Sequence, residues 1–314
     1  MIQDETADLF TSAIAAAAAS IETARAKINL ALHVRGRRAD GYHDIDSLVV
    51  FAELSDVLSA TKSDEPSVVL GIDGEFADRL ADTTPPGDNL VYAVADALLQ
   101  AFPEHARDGL HIDLVKHLPI AAGVGGGSAD AAATLRLLNR IWSLGLSTEQ
   151  LAGLGANFGA DVPVCVLSRP ARIEGTGDRL TPLPGIPEIP MVLVNPGIAV
   201  PTADVFGRIR NPTRPPLPPL PETGFETITD LVAWLRRTRN DLFEPACGIA
   251  PVIERCLRVL ASEPECLFAR MSGSGATVFG AFPTMDSALE AATRLQASRP
   301  EWWVSATCTE ASPA

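Results

Sequence analysis

A glycine-rich stretch at residues 117–130 carries the clearest chemical signal in the sequence. Four glycines occupy the five positions from Gly123 to Gly127, and they leave the backbone N–H groups uncovered by side chains. The alternating residues 111–115 before the stretch are typical of a strand, and the alanine- and leucine-rich residues 131–139 after it favour a helix. Unpaired N–H groups and the positive dipole end of a helix start attract anions. The sequence therefore predicts a phosphate site in a strand–loop–helix unit.

Two common nucleotide-binding loops do not fit this stretch. A Walker A loop would end in Gly-Lys-Ser or Gly-Lys-Thr, and neither triplet follows the glycines. Residues 123–128 imitate the dinucleotide fingerprint Gly-x-Gly-x-x-Gly, with Ser128 in the last place. That fingerprint should open the first βαβ unit and precede an acidic residue by about 20 positions. Here the loop comes a third of the way into the chain, and residues 141–145 hold no acid.

Polar and apolar side chains alternate at residues 24–34, which is the pattern of a strand. Lys27, Asn29 and His33 share its polar face. The pattern alone fits two interpretations, a half-exposed strand with a solvated polar face or a strand that presents Lys27 and Asn29 to a site.

Four further positions have both a structural and a functional interpretation. Asp161 stands among apolar residues, where a carboxylate is costly unless it is paired. It could serve a turn or cap, or it could be the partly buried carboxylate that a general base requires. Tyr42 and His43 lie together at a turn, where binding residues concentrate. Asn89 precedes an amphipathic helical stretch and could simply cap it.

The composition limits the class of protein. The chain has 314 residues, enough for two domains or one large one, and a net charge of −14. This charge argues against a nucleic-acid or acidic-membrane surface. The five cysteines are scattered without a Cys-x-x-Cys pair, which favours reduced thiols and a cytoplasmic protein. Since no apolar run reaches membrane-spanning length, we expect neither a membrane nor a nucleic acid as partner.

Two segments stand apart from this scheme. Residues 1–22 begin with acidic positions and lack the basic region of a secretory signal, so we interpret them as a helical or frayed extension. Residues 212–221 are too proline-dense for regular structure, and we expect a stiff surface loop rather than an SH3-type ligand.

At this point the residues resemble a known family. Residues 119–133 resemble the phosphate loop of the GHMP kinases, the superfamily of galactokinase, homoserine kinase, mevalonate kinase and phosphomevalonate kinase. Residues 26–30, 38–43 and 159–163 narrow the resemblance to one branch. Its members phosphorylate the 2-hydroxyl of 4-diphosphocytidyl-2-C-methyl-D-erythritol in the non-mevalonate isoprenoid pathway. Residues 271–276 resemble the third motif of the superfamily.

The resemblance implies an α+β fold of two domains, the two-domain GHMP kinase fold. After the extension, residues 23–180 would form the ATP-binding domain, similar to the second domain of ribosomal protein S5. Residues 181–314 would form a ferredoxin-like C-terminal domain. The resemblance also implies an ATP-dependent kinase with Mg²⁺ as cofactor and a cytidine diphosphate-linked methylerythritol as small-molecule substrate, and it assigns no residue of the chain as a metal ligand.

The resemblance also implies roles in phosphoryl transfer. Asp161 matches the general base that takes the proton of the substrate hydroxyl, and Lys27 matches the lysine that keeps this carboxylate ionised. Such help suits an alcohol, which is a poor nucleophile. The loop would cradle the ATP phosphates while Mg²⁺ neutralises developing charge. Its residues are Pro119, Ile120, Ala121, Ala122, Gly123, Val124, Gly125, Gly126, Gly127, Ser128 and Ala129.

Binding roles follow from the same resemblance. Asn89 and Lys116 match positions near the adenosine part of ATP. Tyr42 and Phe206 match an aromatic clamp that sandwiches cytosine. The other matches are His43, a reader of the cytosine edge, and Asn29 and Thr202, polar contacts to the substrate.

The chain departs from the family pattern at two positions of interest. Residue 129 is alanine where the loop usually has a second serine, and residue 25 is arginine where proline is common. If the missing hydroxyl contacts phosphate or Mg²⁺, its loss costs about 1 kcal/mol or more. Two alternatives stay open. A GHMP kinase for another alcohol would have no use for the aromatic clamp, and a binding-only relative would not need both Lys27 and Asp161.

Overall fold

The computed structural model describes residues 20–63, 67–210 and 214–312. The strands in this part are β1 Ile21–Arg37, β2 His43–Lys62, β3 Val68–Asp73, β4 Leu110–Val115, β5 Ala171–Gly175, β6 Arg179–Pro182, β7 Met191–Asn195, β8 Phe268–Met271, β9 Val278–Ala281 and β10 Trp303–Thr307. The α-helices are α1 Ala77–Thr83, α2 Leu90–Ala101, α3 Gly126–Ile141, α4 Thr148–Gly155, α5 Val162–Leu167, α6 Thr202–Gly207, α7 Ile228–Leu235, α8 Phe243–Cys247, α9 Val252–Ala261 and α10 Met285–Ser298.

The described chain packs as two compact units, each built from separate stretches of sequence. The first unit holds residues 20–24, Ser55–His117 and Gly127–Val166. The second unit holds Arg25–Leu54, Leu118–Gly126 and the residues from Leu167 onward. The division of the chain after residue 180 stays a prediction.

The first unit contains the strand and helix predicted on either side of the glycines. The second half of β2 pairs antiparallel with β4, from Val57↔Val115 to Lys62↔Leu110, and β3 pairs parallel with β4. Helix α3 buries its alanine- and leucine-rich face completely, including Leu135. Both predicted elements are therefore confirmed.

The second unit contains two sets of strands. The first half of β2 pairs antiparallel with β5, and β5 pairs with β6. A separate four-stranded sheet has the order β10-β7-β9-β8, with every neighbouring pair antiparallel. Helices α9 and α10 pack on that sheet through Ile253, Leu260 and Leu295, which are fully buried with Val278.

The polar face of β1 is buried. Lys27, Asn29 and His33 are 4%, 3% and 1% exposed, so the interpretation as a solvated strand face is wrong. The His33 ring shows how such a face is accommodated. Its Nε2 accepts the N–H of Arg239 at 3.1 Å, which leaves Nδ1 to donate to the Pro215 carbonyl at 3.1 Å. Buried polar groups need such partners.

The strand β1 also begins earlier than the predicted start of the ATP-binding domain. It starts at Ile21, and Glu22 pairs with Arg136 and Arg140 of α3 at 3.2 and 2.5 Å. Residues 21 and 22 are therefore part of the packed structure. Residues 1–19 of the predicted extension lie outside the described residues.

The proline-rich residues 214–221 have no regular secondary structure, as predicted. They are held more firmly than an ordinary surface loop, because Leu217 is only 3% exposed and its N–H donates to Asp46 at 2.8 Å. Trp234 Nε1 donates to the Pro219 carbonyl at 3.0 Å. Residues 212 and 213 lie outside the described part.

Among the described residues, every helix is too short or too polar to span a membrane.

Candidate active site

The glycine-rich loop is anchored in the second unit through three consecutive carbonyls. The Ala122 carbonyl accepts the N–H of Thr277 at 3.0 Å, and the Val124 carbonyl accepts the N–H of Lys27 at 2.8 Å. Between them, the Gly123 carbonyl accepts the hydroxyl of Ser272 at 2.8 Å. These three acceptors of the loop are thus occupied by the protein itself.

The donors of the loop are available. Within the described part of the chain, no hydrogen bond uses the N–H groups of Gly123, Val124 or Gly125. The next residue, Gly126, begins α3, and the N–H groups of a first helical turn have no partner within the helix. Successive unpaired N–H groups leading into a helix suit an anion, and the phosphate site itself stays a prediction.

Gly123 is required by its surroundings as well as by its backbone conformation. Its φ is +77°, in the left-handed region that favours glycine. A Cβ at this position would lie 2.5 Å from the Ser272 carbonyl oxygen and 2.8 Å from the N and O atoms of Gly275. The close approach fixes the loop against the turn at residues 271–276.

The side chain of Lys27 lies along the same loop. A Cβ built on Gly125, where φ is +68°, would be 3.3 Å from both Cβ and Cε of Lys27. The second unit therefore brings this lysine to the glycine-rich loop through both its backbone and its side chain.

Asn29 lies next to Lys27 in the strand and has one unused acceptor. Its Nδ2 donates to Ser47 Oγ at 2.8 Å, and its N–H donates to Ser272 Oγ at 3.1 Å. Its Oδ1 is buried without a hydrogen-bond partner among the described residues. A buried amide oxygen without a partner is costly, so this atom suits a ligand that donates a hydrogen bond.

Two serines that the sequence analysis did not assign connect these groups. Ser272 contacts both the loop and Asn29, and Ser274 shares a 2.9 Å hydrogen bond with the hydroxyl of Thr202. Thr202 is exposed at the start of α6. The glycine motif at 271–276 was visible in the sequence. The hydrogen bond that joins its Ser274 to Thr202, 72 positions away, was not.

His43 and Phe206 meet in the second unit. Their ring centroids are 5.2 Å apart with a 33° tilt. Burial, and after it the charge of Arg37, lowers the pKa of His43 from its usual 6.5, which favours the neutral imidazole. Tyr42 is 67% exposed on the turn that leads into β2. The structure thus pairs the Phe206 ring with His43 at a tilt, and the exposed Tyr42 directly precedes His43 in the chain.

The first unit holds the remaining candidates. The Asn89 side chain accepts the N–H of Val91 at 2.9 Å and caps α2, so the capping interpretation is confirmed.

A Cβ on Gly159 would lie 4.0 Å from Ser128 Oγ, which places the segment before Asp161 next to the end of the loop. Asp161 is half-buried and directly precedes α5.

Lys116 and the two departures from the family pattern have defined surroundings. The Lys116 ammonium is buried between two carboxylates of the first unit. Ala129 is 2% exposed, so a hydroxyl there would need a partner inside the protein. Arg25 pairs with Glu310 of the second unit at 2.6 Å.

The residues present fit a nucleotide better than a protein-bound metal. The unpaired N–H groups of the loop suit phosphate oxygens. Within the described residues, no group of three or more His, Cys, Asp or Glu side chains could hold a metal ion. Mg²⁺ in phosphoryl-transfer sites often takes most of its ligands from substrate phosphates and water, so this arrangement is compatible with Mg²⁺ bound to a nucleotide.

Comparisons with known proteins identify the family of the chain. The model of the GHMP kinases N terminal domain matches residues 89–169, and that of the GHMP kinases C terminal region matches residues 226–300. The chain is 47% identical over 285 residues to a 4-diphosphocytidyl-2-C-methyl-D-erythritol kinase of Dinoroseobacter shibae, covering 90% of this chain and 93% of that protein. It is 45% identical to the Rhodospirillum rubrum protein of the same name, covering 94% of each.

Solved structures of similar fold include a kinase of the same kind. A crystal structure of 4-(cytidine 5'-diphospho)-2C-methyl-D-erythritol kinase has a TM-score of 0.73 and 32% identity, covering 92% of this chain and 98% of that one. A mevalonate kinase from L. major in complex with R-mevalonate has a TM-score of 0.67 at 14% identity, covering 94% and 97%. At that identity the second likeness shows the fold alone.

Proposed function

The chain belongs to the 4-diphosphocytidyl-2-C-methyl-D-erythritol kinases, a branch of the GHMP kinases, and on this premise we propose that it phosphorylates the 2-hydroxyl of that compound with ATP. The predicted family and the predicted α+β GHMP kinase fold are confirmed. Identity of about 45% over nine-tenths of the chain carries the proposal.

The glycine-rich loop is proposed to hold the ATP phosphates. Its carbonyls at residues 122–124 are occupied by the protein, and its N–H groups at Gly123, Val124 and Gly125 are unused within the described chain. Preorganised donors of this kind stabilise charge without reorganisation during the reaction. Mg²⁺, when bound with ATP, would supply further neutralisation of the charge that develops on the transferred group.

Asp161 and Lys27 are proposed to activate the substrate hydroxyl, on the basis of the family resemblance. Asp161 would accept the hydroxyl proton as the oxygen attacks phosphorus. A positioned base contributes about 10²–10⁴-fold to a rate. Lys27 would keep the Asp161 carboxylate ionised and favour the developing alkoxide. Its placement along Gly125 at the loop supports this role.

Five residues of the second unit are proposed to recognise the cytidyl substrate. The unpaired Oδ1 of Asn29 and the hydroxyl of the exposed residue Thr202 suit polar groups of the sugar alcohol. The rings of Phe206 and Tyr42 suit a base stacked between them. Tyr42 is exposed and directly precedes His43 in the sequence. The neutral His43 can donate and accept at a base edge. The family resemblance places Asn89 and Lys116 near the adenosine part of ATP, and both side chains have partners within the protein.

Replacing Tyr42 with alanine is expected to raise the KM for the cytidyl substrate by about tenfold or more, since stacking on a base is worth about 1–3 kcal/mol. The KM for ATP should stay within twofold. Steady-state kinetics with each substrate varied in turn measures both values, and Tyr42→Phe, which keeps the ring, serves as the control. Equal effects of Tyr42→Ala on the two KM values would rule out the aromatic clamp.

The depressed pKa of His43 predicts a pH dependence of substrate binding. Burial holds the pKa of His43 below the usual 6.5, so the imidazole is neutral well above that pH and the KM for the cytidyl substrate should be constant from pH 7.5 to 8.5. It should rise as the pH falls through that pKa, because protonation removes the acceptor nitrogen. In His43→Gln the KM should be higher throughout and the acid limb should disappear. An acid limb that persists in His43→Gln would assign it to another group.

Location and partners are proposed on charge and cysteine content. The net charge of −14 argues against nucleic acid as a partner. The scattered cysteines favour a reducing compartment, and we place the enzyme in the cytoplasm on that ground.

An acceptor panel tests the function against the alternatives. ADP release should require 4-diphosphocytidyl-2-C-methyl-D-erythritol, and mevalonate, homoserine and galactose should leave it at the background rate. Faster turnover with another alcohol would identify a different GHMP kinase. Binding of ATP and the cytidyl compound without ADP release would identify a relative that has lost catalysis.

A further inference from the structure

Three buried charged side chains lie at the two ends of the glycine-rich loop. Lys116 follows β4 directly before the loop, Asp130 lies in the first turns of α3 directly after it, and Asp56 belongs to β2. Their side chains are 3%, 5% and 0% exposed. The Lys116 Nζ lies 2.5 Å from Asp56 Oδ2 and 2.7 Å from Asp130 Oδ2. All three belong to the first unit.

The same residues fix the backbone where the chain leaves the first unit. The N–H of His117 donates to Asp56 Oδ1 at 2.6 Å, and the N–H of Lys116 donates to the Asp73 carbonyl at 2.7 Å. The chain departs from the first unit after His117 and returns at Gly127. The Lys116–Asp130 ion pair therefore ties together the start and the end of this excursion, which is the loop itself.

The buried charges of Lys116, Asp56 and Asp130 are poorly suited to stabilising the fold. Two carboxylates share one ammonium, and burial, aided by Asp56, raises the pKa of Asp130 to about 7 in spite of Lys116. Asp130 Oδ1 has no hydrogen-bond partner among the described residues. A buried ion pair often stabilises a fold no better than apolar side chains of similar volume. These three charged side chains are therefore better explained by the loop geometry that they fix than by a contribution to the stability of the fold.

We propose that Lys116 and Asp130, seated on Asp56, form a clamp that fixes both ends of the glycine-rich loop and thereby sets the affinity for nucleotide. The proposal rests on the proposed function in taking this loop as the nucleotide site. The three are positioning residues. The ammonium of Lys116 is committed to the clamp, so its side chain acts on the nucleotide through the loop instead of contacting adenosine.

Asp130→Asn tests the clamp, because the amide keeps the size of the side chain and one acceptor but removes the charge. Calorimetry with a non-hydrolysable ATP analogue and Mg²⁺ should give a Kd about tenfold higher than wild type. The KM for ATP should rise by the same factor, and the KM for the cytidyl substrate should stay within twofold. Lys116→Arg should show the same selective loss, because a planar guanidinium does not replace a point charge between two carboxylates.

Glu22→Gln is the matched control, because Glu22 is a shielded carboxylate of the same unit that pairs with two arginines of α3. It should lower the free energy of unfolding without changing the Kd of the analogue. Wild-type affinity in either clamp variant would overturn the proposal, as would parallel loss of both substrates. If one of the two clamp variants does not fold, the Kd measured for the other variant decides the outcome. If wild-type protein does not bind the analogue, the proposed function itself fails.

Discussion

Replacing Asp161 with asparagine is expected to lower kcat by about 10³-fold, within the range of a positioned general base. The asparagine has the size of the aspartate but cannot accept the hydroxyl proton. Its effect should therefore appear in the chemical step, and the KM values for ATP and the cytidyl substrate should change less than about threefold, since uniform binding is retained. Single-turnover measurements would separate the chemical step from product release.

The control for loss of a carboxylate is Asp113→Asn on β4, where the side chain is 56% exposed and pairs with His111. This variant should keep wild-type kcat. Near-normal activity of Asp161→Asn would refute the assignment of Asp161 as base, even if the chain is the proposed kinase.

Replacing Gly123 with alanine should have the second large effect. The left-handed φ of +77° costs a non-glycine residue about 1–2 kcal/mol, and crowding against the Ser272 carbonyl adds about 1–3 kcal/mol. The loop must then move away from the turn at residues 271–276. The KM for ATP should rise more than about tenfold, which corresponds to 1.4 kcal/mol, and urea unfolding should show a lower free energy of unfolding.

Gly145→Ala separates the two causes. Gly145 has a φ of +68°, and a Cβ there would meet nothing within 4 Å, so it carries the backbone strain without the crowding. It should lose some stability and keep the wild-type KM for ATP. If Gly123→Ala behaves like Gly145→Ala in both measurements, the loop does not depend on its close approach to Ser272.

The local part of the structure could be predicted because its signals are local. Alternation at residues 111–115 and the alanine-rich run after Gly127 specify β4 and α3 through nearest neighbours alone. The glycines between them expose backbone donors whatever the rest of the fold does. The same holds for Asn89, whose capping hydrogen bond spans two residues.

The long-range part could not be predicted, because the sequence does not show which distant groups pair. The Ser272 hydroxyl reaches Gly123 across 149 positions, and Asp56 reaches Lys116 across 60. Without these partners, the polar side of β1 looked equally suited to solvent. Leu217 shows the reverse case, since a proline-rich sequence indicates no regular structure but does not reveal that one of its side chains is buried.

The central claim is the transfer of one phosphoryl group from ATP to the 2-hydroxyl of 4-diphosphocytidyl-2-C-methyl-D-erythritol. Phosphorus NMR of the reaction mixture tests it directly. The account predicts one new phosphomonoester signal that grows in equal amount with ADP, together with an intact diphosphate signal of the cytidyl compound. ADP formation without that monoester, or a monoester accompanied by loss of the diphosphate signal, would contradict it.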